Sequence, residues 1–313
     1  MKKLIKVVSS LLVMASMSPL VFADKVAIDP MFTYGGSLNQ EQLVETRKAL
    51  GVQAGTKEIP VQVSELNGLL NDTYPYKQVY SSTYITPASN NGQVTVEIVT
   101  PNTITDITPN QYQNAAITAG AVDVNIKVAS AVKVDGSGAL AGVYKAFQAS
   151  GQTLDSQAVA VAQDELNVTS SINQEHKSQS GYSDELLNAA IAEIKQNVQT
   201  EKDANGGTIT QEAVQNIVNN VINNYNLGDI LSNNNIQDIQ NYMTNFSNLE
   251  LSQAQKDQLA QFGQTLQEQG GQLLDKAKTA WNGLDEETKS GFMQILQNIW
   301  NAIVEFVSSL FGN

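Results

Sequence analysis

The sequence has no cysteine, one histidine, few aromatic residues and fewer bases than acids. Without cysteine it forms no disulfide, thiol nucleophile, iron–sulfur cluster or Cys-ligated zinc site. His176 alone leaves no multi-histidine metal centre and little scope for histidine-based catalysis. Against 31 Asp and Glu stand only 18 Lys and Arg, a formal charge of −13. Nucleic-acid binders need the opposite, a cationic face that releases counterions from phosphate. What the chain has in quantity is carboxamide: Asn and Gln supply 60 of its 313 residues. At roughly 100 to 200 residues per domain, that length predicts two domains.

Residues 1–23 read as a secretory signal peptide. Lys2, Lys3 and Lys6 form a positive start, and Leu11, Leu12, Val13 and Met14 lie in a short apolar stretch. Val21-Phe22-Ala23 then offers a cleavage site. Ser9, Ser10, Ser16, Ser18 and Pro19 interrupt the stretch, whereas a spanning helix needs about 20 consecutive apolar residues. A cut after Ala23 removes three lysines and no acid, and no transmembrane span is expected in the mature chain. The expected location is extracellular, free or held non-covalently at the envelope.

Composition changes near residue 150. Residues 24–150 carry 11 acids and 8 bases, residues 151–313 carry 20 and 7, and 42 of the 60 carboxamides fall in the second part. The first part mixes strands and helices. Val79–Thr86 and Gln93–Thr100 are β-branched or aromatic runs on either side of Asn91-Gly92, a turn signal that predicts a hairpin. A third alternating run reaches Val134. Helices are expected over 38–50 after a Ser37 cap, over 64–70, from Pro109 to Ala119, and over 138–149. The second part is helical by periodicity: Val214, Ile217, Val218, Val221, Ile222 and Tyr225 share one helix face. Ile236, Ile239, Met243 and Phe246 repeat the pattern, as do Leu259, Phe262, Leu266 and Leu273. Breaks fall at Gly206-Gly207, Asn226-Leu227-Gly228 and Asn282-Gly283, with a kink at Gly270-Gly271. The expected architecture is therefore α+β: a signal peptide (1–23), a mixed strand and helix layer domain (24–150), and an acidic, Asn/Gln-rich helical bundle (151–313).

Several motifs invite a chemical reading. Gly136-Ser137-Gly138 opens a helix after a strand, as phosphate-binding turns do, but the next glycine, Gly142, is one residue too far for the dinucleotide fingerprint. Close packing of that helix on the sheet is the simpler expectation. Asp203 to Glu212 echoes a calcium loop, yet position 12 counted from Asp203 is Val214, so the bidentate glutamate is missing. Thr210 capping a helix explains the same residues. Asp285-Glu286-Glu287 sit at a helix start, where acids favour the macrodipole. Glu41 and Glu45 share a helix with Arg47 and Lys48 and read as a solvated face. His176, in a polar stretch, is expected to be an exposed linker residue. No catalytic, cofactor-binding or metal-binding residue is assigned.

The last 22 residues carry a broad apolar stripe. Phe292, Ile299, Trp300, Phe306 and Phe311 anchor it and are the candidate contacts for a partner or membrane. Interfacial helices carry Lys and Arg on their polar face. Here that face is Gln294, Gln297, Asn298, Asn301, Glu305 and Ser308, so packing within the bundle is expected instead.

Tyr80-Ser-Ser-Thr-Tyr-Ile, Gly92-Gln-Val-Thr-Val, Asn102-Thr-Ile-Thr-Asp-Ile-Thr, Tyr112-Gln-Asn-Ala-Ala-Ile-Thr-Ala-Gly and Gly138-Ala-Leu-Ala-Gly-Val-Tyr-Lys-Ala succeed one another in the first part. With Thr208-Ile-Thr-Gln-Glu and Leu231-Ser later, this succession resembles the YpuA-type secreted proteins of Firmicutes, a family designated domain of unknown function 1002. The resemblance implies a Gram-positive exported protein and implies no reaction and no functional residues. The expectation for function is a non-enzymatic binding or structural protein, with wall polymer or an envelope protein as partner. The alternatives are a wall-polymer hydrolase using paired carboxylates and membrane association through the last helix.

Overall fold

The computed structural model describes residues 28–262 and Thr265, apart from 71–74, 89–92, 153 and 180. The stretch expected to be a signal peptide, the expected Asn91-Gly92 turn, Leu266, Leu273 and the features from Gly270 onward, including the stripe from Phe292 to Phe311, lie outside the described residues. Five strands, β1 (Met31–Gly35), β2 (Lys57–Val61), β3 (Ser82–Pro87), β4 (Val94–Ile98) and β5 (Val124–Ala129), form one sheet in the order β2-β1-β3-β5-β4. β1 runs parallel to β2 and β4 parallel to β5, while β3 is antiparallel to both β1 and β5.

The predicted hairpin of β3 with β4 therefore does not form, because β5 lies between them. The reason is burial. Val124, Ile126 and Val128 of β5 are at most 2% exposed, whereas Thr95 and Glu97 of β4 face solvent. A strand with alternate polar positions suits a sheet edge, and the more apolar one takes the interior. Between them runs α3 (Pro109–Thr118), the crossover that a parallel pair requires.

Local signals decide most helix ends. In α1 (Gln40–Leu50) the cap is Asn39 rather than the expected Ser37: Asn39 and Gln42 form a reciprocal capping box, and Gly51 ends the helix at φ +68°. Ser37 instead accepts a hydrogen bond from the Val79 N–H at 2.9 Å. Thr108 caps α3 with Gln111 and with Pro109 at the first turn. Two more helices, α2 (Val63–Leu70) and α4 (Gly138–Ala149), complete the first part. A Cβ on Gly142 would lie 2.5 Å from Thr33 Oγ1 and 3.1 Å from Thr83 Oγ1. The glycines of α4 thus serve close helix–sheet packing.

The chain continues as α5 (Ser156–His176), α6 (Asp184–Ala204), α7 (Gln211–Asn224), α8 (Asn233–Ser247) and helical residues 253–262. Gly206 and Gly207 make the expected break with φ of +69° and +88°. Val214, Val218, Val221 and Ile222 of α7 pack with Ile239, Met243 and Phe246 of α8 in a core that runs unbroken from Ile28 to Phe262. On the sheet's other face α1 covers Phe32, Tyr84 and Ala129 with Leu50. The fold is α+β, and among the described residues no helix is long and apolar enough to cross a membrane.

Candidate functional site

Two polar regions stand out, one sealed and one open. The sealed region begins on α3, where Gln111, Asn114 and Thr118 share one face and are at most 1% exposed. Gln111 Nε2 donates to the Thr169 carbonyl of α5 at 3.1 Å. Asn114 Nδ2 donates to Asn188 of α6 at 3.3 Å. The Thr118 hydroxyl donates to Glu165 Oε2 at 2.6 Å and accepts from Lys195 Nζ at 3.0 Å. Lys195 Nζ pairs with Glu165 Oε1 at 2.8 Å, both side chains being at most 1% exposed, and lies 5.8 Å from the centre of the Phe246 ring.

Burial pulls the Lys195 ammonium below the ordinary lysine range, against the opposing pull of Glu165. Tyr144 and Tyr242 are pushed well above the usual phenol range by burial and by the Glu165 charge. General acid–base work needs heavy-atom contact with substrate at about 2.6–3.2 Å. A pair enclosed among α3, α5, α6 and α8 offers no such access. Its chemistry is that of a polar key, fixing which faces of α3, α5 and α6 meet.

His176 departs from its expected exposed position. It closes α5 at 7% exposure, with Nε2 3.0 Å from Asn235 Oδ1 and Nδ1 2.8 Å from Gln179 Oε1. Asn235 belongs to the Ser232 capping box of α8, so the histidine joins one helix end to another helix start. Nearby, Asp184 accepts from Thr108 Oγ1 at 2.7 Å, Asn110 Nδ2 at 3.2 Å and Asn188 Nδ2 at 3.0 Å. Burial raises its carboxyl to about 6, against the lowering effect of those three donors.

The open region is the solvent face of α7 and α8. Asn216, Asn219, Asn220 and Asn223 are exposed along α7; Asn233, Gln237, Asn241 and Asn245 are exposed along α8. Gln240 Nε2 bonds Asn219 Oδ1 at 2.9 Å and joins the two rows. Glu212 and Asp238 are the only charged residues in either helix. Each carboxamide presents two donor hydrogens and an acceptor oxygen without charge. Such a surface matches partners that offer neutral hydroxyl and amide groups.

The remaining candidates resolve into local roles. Glu41 and Glu45 are exposed. Asp203 is engaged by Lys256 Nζ at 2.6 Å, and Thr210 caps α7 through the Ala213 N–H with Glu212 in the first turn. Phe292, Ile299, Trp300, Phe306 and Phe311 lie outside the described residues. Sequence reasoning missed the Glu165–Lys195 pair, although a signal was present. Extending the apolar stripe of α6 through Ile191, Ile194 and Val198 places Lys195 on the buried face.

A family model described as "Protein of unknown function (DUF1002)" matches residues 34–262. A Bacillus subtilis (strain 168) protein named "Uncharacterized protein YpuA" is 28% identical over 179 residues, covering 56% of this chain and 59% of that protein. The chain thus aligns with less than two thirds of that relative's length. No solved structure matches. With most of its length inside the family model, the chain belongs to the DUF1002 family.

Proposed function

We propose that the protein is exported, acts without catalysis at the cell envelope, and binds uncharged wall glycan through the carboxamide face of α7 and α8. The observation that carries this reading is the near absence of charge on that face in a chain of formal charge −13. Such a net charge disfavours anionic polymers at long range, whereas neutral glycan meets no repulsion. Hydroxyl and acetamido groups of a sugar chain complement the donors and acceptors of Asn and Gln. Export rests on the signal peptide read in residues 1–23.

The test is co-sedimentation of the exported chain with purified sacculi, with neutral and anionic liposomes alongside. Pelleting with sacculi is expected, and Asn219→Ser with Gln237→Ser is expected to reduce it. Unchanged pelleting of that double variant, or none by the parent, removes the glycan reading. Pelleting only with liposomes would transfer the role to the apolar stripe ending at Phe311.

A further inference from the structure

Where β1 and β2 begin, the chain encloses a cleft of about 550 Å³, within the roughly 300–1,000 Å³ of small-molecule sites. It is remote in sequence from α7 and α8. Met31 lines it from the α4 face of the sheet and Tyr84 from the α1 face, 2% and 7% exposed. The 53–56 connection and the Ala149-Ser150 end of α4 make its walls, and exposed Asp29 and Lys57 stand on its rim.

Neighbouring bonds hold these walls. Lys57 Nζ donates to the Ala149 carbonyl at 3.2 Å, one of the helix-end acceptors that lack an intrahelical donor. That bond draws the ammonium to the cleft. Arg47, paired with Glu58 at 2.7 Å, also reaches the Gln53 carbonyl at 3.5 Å. Gln53 Nε2 bonds the Gly51 carbonyl at 3.0 Å. The connection is thereby tied to both α1 and β2.

One carboxylate and one ammonium on the rim of a single cleft complement a small molecule bearing both charges. We propose that this cleft binds a free amino acid or the zwitterionic end of a short peptide. Lys57 takes the ligand carboxylate and Asp29 its ammonium. The ligand differs in class from the neutral glycan assigned to α7 and α8, so either reading stands or falls without the other.

The experiment titrates the full exported chain (residues 24–313), labelled with nitrogen-15, with the dipeptide Ala-Leu, its N-acetyl form and its C-terminal amide. Amide shifts are expected at residues 29, 31, 53–57 and 149–150. Each blocked dipeptide loses one exposed ion pair and should bind about fivefold more weakly. Asp29→Asn should erase the discrimination against the acetyl form alone, and Lys57→Gln the discrimination against the amide alone. Both positions are exposed, so the dispersed spectrum should be retained and report an intact fold. Absence of shifts at these residues with millimolar dipeptide would overturn the proposal. So would equal binding of all three ligands, or variants that leave the discrimination unchanged.

Discussion

The same side-chain chemistry does opposite things in two places. On α3, Gln111 and Asn114 are at most 1% exposed and each donates to a neighbouring helix. On α7 and α8, Asn216, Asn220, Asn241 and Asn245 meet water. A buried amide must find partners or cost its full desolvation, so it specifies which faces pack together. An exposed amide exchanges water for a ligand at little cost to the fold. Carboxamide content alone therefore says nothing about role; depth decides it.

The contrast breaks most severely at the sealed ion pair. Lys195→Met leaves Glu165 charged and unpaired in the core, and denaturant unfolding should show a loss of about 3–5 kcal/mol. Adding Glu165→Leu should recover most of that loss, because two apolar side chains remove both buried charges. If the double variant were no more stable than the single one, the pair would be indispensable to packing rather than a removable key.

A smaller effect is expected at Asp184, the first residue of α6, which sits against the start of α3. Its carboxyl sits near 6 in the fold against an ordinary 3.8, so the native state binds the proton more tightly than the unfolded chain. Its contribution to stability is complete below about pH 4 and is lost as the pH rises toward 6. Melting temperatures of the parent and of Asp184→Asn, measured from about pH 4 to 7, should therefore differ by a pH-dependent amount. The parent should lose ground as pH rises; a constant offset would show that the three donors outweigh burial.

The smallest expected change lies on the open face. Asn219→Ser with Gln237→Ser should shift stability by no more than about 0.5 kcal/mol per site. A loss above about 2 kcal/mol in urea unfolding would mean that this face supports the fold, erasing the distinction from α3.

Much of the architecture is legible locally. Thr108-Pro109 starts α3 and Gly51 ends α1 because capping and positive φ are satisfied within a few residues. The stripes of α7 and α8 follow from helical period alone. Three features escaped because their partners are distant in sequence. β5 displaces β4 from β3 through relative burial, which a local turn signal does not contain. His176 is drawn in by Asn235, 59 residues away. Lys195 falls on the apolar stripe of α6, but Glu165, 30 residues away, emerges as its partner only when α5 and α6 are placed side by side.

By itself the sequence determined the α+β class, the positions of most helices and the exclusion of cysteine and multi-histidine chemistry, since composition, caps and periodicity act over one or two turns. Only the tertiary structure decided the strand order, the buried carboxamide seam of α3 and the enclosure of the Glu165–Lys195 pair. Each of these depends on which surfaces lose water together, a property of the packed chain that no single segment carries.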